Sequence, residues 1–389
     1  MAFMNDNISQ VFAHYIENFV KLNDDEHEEY YKWQVCYEFP ELMDNALAAS
    51  DEDFATELMK ARNCTRNIID SYTQPFAGLV ELAKREPAAV KQMLKDLYAP
   101  DGGDIDKQMQ QIEAFFDSCN TLLDTYFPGT FLYKPNSHSV SAMLFLYDPD
   151  HHYMYKATEC KDMADCIGFY DSWGSGDNIK LDVFYRMCDE MLERVKECPE
   201  LIATDESRFD PAFKKLRDIP LHPDSEKHIL LFDMIYCCYA YDLLNLIPFQ
   251  KPNTKEKKLY IENRKKAEGL LEEYRVAASN FSKLQEAMDY IQSVIKEGGT
   301  VRHKKYGDCD VKEVNIAEGK NRLTIDVPGK EEPTVLGLAV VLANGIVTVD
   351  VEGFAEKIGE YRNVLKDADG ICRRLKFAES ALKPYEEYL

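Results

Sequence analysis

The chain has 389 residues, 45% of them hydrophobic and 30% charged, with 46 Lys+Arg against 69 Asp+Glu and a formal net charge of -23. That composition buries enough apolar surface to offset chain entropy, so it excludes a disordered chain and predicts two or three cores. The acidity also excludes a chain that coats nucleic acid or an anionic membrane over its whole surface.

The N-terminus MAFMNDNISQ lacks a basic region followed by an apolar core, and no window approaches about 18 uncharged apolar residues. Neither a signal peptide nor a membrane span is expected, which points to a cytoplasmic protein without a membrane partner. The 11 cysteines are scattered singly except for Cys237 and Cys238. That pattern fits reduced, buried thiols rather than a disulfide framework and suits a bacterium.

From the N-terminus onward, amphipathic helices dominate. The segment near 6 to 21 sets Ile8, Phe12, Tyr15, Ile16 and Phe19 on one stripe. Ser50 with Asp53 reads as a helix N-cap before FATELMKARNCTRNII. The segment 104 to 126 repeats apolar residues at Met109, Ile112, Phe115, Phe116, Cys119, Leu122 and Leu123. Further helices are predicted near 158 to 169, 179 to 197 and 225 to 247, so residues 1 to 250 read as an acidic all-α domain.

Within that domain, WGSGDNIK at 173 to 180 lacks the Gly-Lys-Ser/Thr ending of a phosphate-binding loop, and Ser175 to Asn178 read as a loop and helix cap. His151, His152, Cys160 and Cys166 lie close in sequence, but their spacing matches no zinc motif. There is no Gly-x-Ser-x-Gly nucleophile turn, and Asp308, Asp310 and Lys312 only imitate a nuclease carboxylate cluster. No catalytic residue, metal ligand or cofactor is assigned, and the chain reads as a non-enzyme.

The stretch SVSAMLFLYDPDHHYMYKATECKDMADCIGF at 139 to 169, with Tyr153-x-Tyr155-Lys156 between two helices, resembles helical modules attached to bacterial restriction and phage-defence proteins. LDVFYRMCDEMLERVKECPEL at 181 to 201 continues the similarity. The resemblance implies a defence-linked context, in which a chain lacking a motor or nuclease would be an accessory subunit.

Residues 1 to 250 carry 22 Lys+Arg against 45 Asp+Glu, whereas residues 251 to 389 carry 24 against 24. Any contact with a polyanion is therefore expected in the last part. KPNTKEKKLYIENRKK at 251 to 266 opens a helix with a modest positive patch formed by Lys257, Lys258, Arg264, Lys265 and Lys266. A heptad seam follows through Ala267, Leu270, Tyr274, Ala277, Phe281, Leu284, Met288, Ile291 and Ile295. A second seam runs from Phe354 through Ile358, Tyr361, Leu365, Ala368, Cys372, Leu375 and Leu382 to Leu389.

Between the seams, TVRHK, CDVKEVNIA, RLTIDV, TVLGLAVVL and GIVTVDV read as five short strands, with Asn344-Gly345 as a hairpin turn. The expected layout is a first coiled-coil helix at 251 to 298, a small SH3-like β-barrel at 299 to 352, and a returning helix at 353 to 389. Together these form an antiparallel coiled-coil hairpin with the barrel at its tip, and the seam would pair within one chain or between two copies in a homodimer.

Val301, His303, Tyr306, Gly307 and Val311 resemble the V-x-H-x-x-F/Y-G-x-G-x-V opening of the barrels in CarD-type transcription regulators and at the C-termini of UvrD-type helicases, with Cys309 in place of the second glycine. The resemblance implies an SH3-like or Tudor-like fold, which serves protein docking, nucleic-acid contact or simple packing. Arg302, His303, Lys304, Lys305 and Tyr306 are the expected contact residues.

The sequence thus predicts an adaptor that presents the barrel to another protein. One alternative is a nucleic-acid-binding accessory factor of a bacterial defence or repair system, holding DNA or RNA through residues 251 to 310. The other is an acidic mimic of DNA.

Overall fold

The computed structural model describes residues 7–389 apart from 67, 71–72, 175–178, 211–218 and 318–319. Ser175 to Asn178, read above as a loop and cap, lie outside the described residues. The chain is mainly helical, with a small curled antiparallel five-stranded sheet in its C-terminal part. It divides into two compact units, Met1–Lys257 and Lys258–Leu389.

The first unit contains α1 (Asn7–Leu22), α2 (Tyr31–Ala48), α3 (Asp51–Cys64), α4 (Pro75–Ala83), α5 (Pro87–Leu97) and α6 (Ile105–Tyr126). It continues with α7 (Ser137–Tyr147), α8 (Ala157–Ile167), α9 (Leu181–Lys196), α10 (Pro199–Glu206) and α11 (His228–Ala240). Local chemistry starts several of these helices. Ser50 accepts the Asp53 N–H at 3.2 Å, Asn136 and Ser139 form a capping box, and Pro75, Pro87 and Pro199 occupy first-turn positions where their missing N–H costs nothing.

The 3.6-residue period then decides which face is buried. In α1, Ile8, Val11, Phe12, Tyr15, Phe19 and Leu22 are all buried. Helices α7 and α11 are buried along nearly every turn and meet through Phe145 and Phe232, whose rings lie 5.5 Å apart edge to face. They form the centre on which the amphipathic helices close.

The second unit opens within α12 (Thr254–Val294) and continues with β1 (Thr300–His303), β2 (Gly307–Ala317), β3 (Lys320–Asp326), β4 (Thr334–Gly337), α13 (Leu338–Ala343) and β5 (Val347–Thr348). It ends with α14 (Phe354–Lys366), α15 (Ala368–Leu382) and a 3-10 turn at Lys383–Tyr388. The strand order is β4-β3-β2-β1-β5, antiparallel throughout, with a bulge between Val311 and Glu313 that bends β2. Leu323, Ile325, Leu338, Val347, Ile291 and Leu365 share one core. Among the described residues, no helix is long and apolar enough to cross a membrane.

Three local expectations change. TVLGLAVVL is strand only to Gly337; Leu338, Ala339, Leu342 and Ala343 are buried in α13, where helical spacing fills the core better than alternation does. Asn344-Gly345 is then not a hairpin turn but the end of that helix. Gly345 adopts φ +63°, its N–H reaches the Leu342 carbonyl at 3.0 Å, and the Ile346 N–H reaches the Val341 carbonyl at 2.8 Å. This is a Schellman cap. The returning helix is broken at Asp367, where φ is -112° and ψ 21°, and it gives way at Lys383 to the 3-10 turn, because Pro384 cannot continue an α-helix.

Candidate interaction surface and a buried charge network

The turn between β1 and β2 carries the expected contact residues, and the structure divides their roles. Arg302 is exposed and paired with Asp308 at 2.8 Å, and Thr348 lies opposite it on β5. His303, expected at the surface, is only 7% exposed. Its Nδ1 accepts the N–H groups of Lys305 at 3.1 Å and Tyr306 at 3.3 Å, and its ring stacks on Tyr306 with centroids 4.5 Å apart. His303 therefore builds the turn from inside. Gly307, at φ +75°, supplies the left-handed residue that the turn requires, while Val301, Cys309 and Val311 point into the core.

Lys304 and Lys305 are exposed, and neither has an ion-pair partner among the described residues. The Tyr306 ring is flanked by Lys305 at 5.4 Å and Lys330 at 4.7 Å. The surface left for a partner is thus the Tyr306 ring with the Lys305 and Lys330 ammonium groups beside it, and exposed Lys304 on the same turn. Two of the nuclease-like trio are engaged in ion pairs, Asp308 with Arg302 and Lys312 with Asp326 at 2.9 Å.

Much of the basic patch at 251 to 266 is also engaged within its own unit. Lys251 pairs with Asp162 at 2.5 Å and Lys257 with Asp165, while Arg264 holds Glu268 at 3.0 Å and Lys266 donates to the Tyr385 hydroxyl at 2.7 Å.

His151, His152, Cys160 and Cys166 do not come together as a metal site. His151 is exposed and paired with Asp148, whereas His152 is turned to the Gln108 side-chain amide at 2.6 Å. Burial pushes the Cys160 and Cys166 thiols up to about 12, which keeps them protonated near neutral pH.

The largest concentration of charge in the first unit is one that sequence reasoning missed. Asp233 on α11 is fully buried; it receives the Tyr15 hydroxyl, Lys32 Nζ at 2.5 Å and Arg208 Nη2 at 3.2 Å. Arg208 is also bound by Asp205 at 3.1 Å and by Asn23, and its guanidinium lies 3.8 Å over the Trp33 ring. Asp205 in turn receives Lys227 at 2.9 Å. Glu29 accepts the Tyr241 hydroxyl and faces Lys32 Nζ at 2.8 Å, a Coulombic contact outside hydrogen-bond geometry.

Three cations thus meet three carboxylates, all of them buried except Lys227. Burial would push the Asp233 carboxyl up, but Lys32 and Arg208 hold it below the usual carboxylate range. Burial would likewise lower the Lys32 ammonium, and Asp233 with its neighbours more than offsets this. Glu29, Asp233 and Cys237 form the one triad of close metal-type ligands among the described residues, and the Lys32 ammonium already stands among them, 3.8 Å from the Cys237 sulfur. The cluster is best read as an internal brace. The available signal was Asp233 itself, a single acid inside the apolar helix HILLFDMIYCCYA, where a carboxylate needs a buried cation.

Compared with protein families, curated proteins and solved structures, the chain matches none of them.

Proposed function

We propose that this protein is a non-enzymatic adaptor, in which an antiparallel coiled-coil arm carries a small SH3-like barrel whose β1–β2 turn docks another protein. In this reading the acidic helical unit docks a second partner or holds an oligomer together. The observation that carries the reading is the order of contacts along the two seams. Tyr260 meets Tyr388 and Lys266 meets Tyr385 far from the sheet, while Tyr290 meets Phe354 and Tyr361 beside it. Every residue of the first seam is at least partly buried, and Leu284, Met288 and Ile291 share a core with Phe354, Ile358 and Leu365. The SH3-like description is supported by five short antiparallel strands with a bulged β2 and a helical turn before β5.

A second reading, nucleic-acid binding by the same turn, is favoured by one feature: Tyr306 is an aromatic platform with the Lys305 and Lys330 ammonium groups beside its ring. The experiment is charge reversal at Arg302, Lys304 and Lys305, all to Glu, in the full chain. Co-purified protein partners should fall at least tenfold and wild-type capture should persist at physiological salt. Unchanged capture by the triple variant rejects the docking turn. Salt-sensitive binding of labelled DNA or RNA that is lost in the triple variant supports the second reading instead.

A further inference from the structure

We infer that the free edge of β4 and the cleft beside it form a docking groove for an extended acidic peptide, which joins the sheet as a sixth strand. The inference rests on the adaptor reading and names a partner chemistry and a second place for docking.

Strand β4 lies at one end of the order β4-β3-β2-β1-β5 and pairs only with β3, from Arg322 opposite Gly337 to Ile325 opposite Thr334. Its other side has no strand among the described residues, so the backbone groups facing that way need a partner. The edge is also apolar, with Val335 57% exposed and Val340, just beyond it on α13, 52% exposed.

A cleft of about 620 Å³ adjoins β4, walled by the start of β3, by β4 and by α13 on one side and by the α14–α15 junction on the other. Small residues keep it open, Gly337 and Ala339 on one wall and Ala368 and Gly370 on the other. A Cβ at Gly370 would fall 2.0 Å from an Asp367 carboxylate oxygen, so a larger residue there would push the Asp367 side chain aside.

The rim decides the occupant. Arg322, Lys366 and Arg373 line the cleft and are all exposed. Arg322 and Lys366 have no ion-pair partner among the described residues, and Arg373 donates to the Asp369 backbone carbonyl at 3.2 Å. Of the two acids in the lining, Asp367 is already held by Arg374 at 2.5 Å. With three basic side chains against Asp369 and an Asp367 already paired, the cleft is modestly positive in a chain of net charge -23. A polyanion of the nucleic-acid kind would use the charge but not the edge. An extended peptide with alternating acidic and apolar side chains uses both, because its backbone pairs with β4 and successive side chains turn to opposite faces.

The test is fluorescence anisotropy of a labelled eight-residue peptide alternating valine and glutamate, titrated with the full chain at low and at physiological salt. Saturable binding is expected, weakened at least tenfold by Arg322→Glu, Lys366→Glu and Arg373→Glu together. These three side chains are exposed, so the fold should survive, and unchanged circular dichroism checks it. A control peptide of equal charge with proline at each valine position loses half of its backbone donors and, with φ fixed at about -65° at those positions, cannot lie as a regular strand, so it should bind at least tenfold more weakly. Three results overturn the groove: no binding of the valine–glutamate peptide, equal binding of the proline control, or equal competition by an oligothymidylate of the same charge. If the groove fails while reversal of Arg302, Lys304 and Lys305 still abolishes partner capture, the adaptor reading stands without it. If the groove binds and tip reversal changes nothing, docking by the β1–β2 turn is the part that falls.

Discussion

Replacing Asp233 by alanine is expected to destabilise the Met1–Lys257 unit by about 3–5 kcal/mol, the range seen when one partner of a buried ion pair is removed. The cost comes less from the hydrogen bonds that Asp233 accepts than from the charges it leaves behind. Lys32 is 1% exposed and Arg208 0%, and without Asp233 neither can recover its hydration. For a unit of this size the melting temperature should fall on the order of 10 °C. Combining Asp233→Ala with Lys32→Met should cost less than the two single changes added together, because the second change removes one of the stranded charges. Thermal and urea denaturation of the four proteins in the cycle measure this, and additive losses would show that the pair does not act as a unit.

A second large effect is expected from Asp224 as the pH changes. Its carboxylate is fully buried just before α11, where it accepts the N–H groups of Ile229 at 3.0 Å and Leu230 at 2.8 Å. Burial, followed by the Asp205 charge, pushes its pKa up to about 7 against a usual 3.8, although the two N–H groups pull the other way. The folded chain therefore keeps a proton that the unfolded chain releases above about pH 4, and the stability from this group is lost as pH rises from about 4 to about 7. At ~1.4 kcal/mol per unit, the loss is roughly 4 kcal/mol.

Half-buried His152 and His222 and buried His228 act in the opposite sense. Burial lowers all three, so acidification below the usual histidine range destabilises the fold through them. Comparing wild type with Asp224→Asn by urea denaturation at pH 4 and pH 8 cancels the histidines. The variant should gain on the wild type by roughly 4 kcal/mol between the two values. A gap that does not change with pH would place Asp224 in an ordinary ionised state.

How much of this was legible in the sequence depends on the range of the forces involved. Helices such as Asn7–Leu22 and Ile105–Tyr126 follow from apolar period and caps, which are local. The helices at Thr254–Val294, Phe354–Lys366 and Ala368–Leu382 were legible for the same reason, since each follows from its own apolar spacing. LAVVLA was misread because its β-branched valines favour a strand, while burial of Leu338 and Leu342 against the rest of the core favours a helix. Asn-Gly serves a hairpin turn or a helix end equally well, and only the preceding helix decides between them.

The candidate turn was legible in position but not in detail. Alternation counts side chains outward, whereas His303 is drawn in by two backbone N–H groups. The charge network was beyond local reading, because Tyr15, Lys32, Arg208 and Asp233 meet across more than two hundred positions of chain.

The central claim is that the β1–β2 turn docks a protein. The most direct measurement places a photo-reactive amino acid at position 305, in place of Lys305, in the full chain, and identifies what is cross-linked in cells that express it. The account predicts a discrete protein adduct that persists at physiological salt and disappears when the same group is placed at exposed Val20 on α1. Cross-links at position 305 to nucleic acid alone, or none above those formed from position 20, would contradict it.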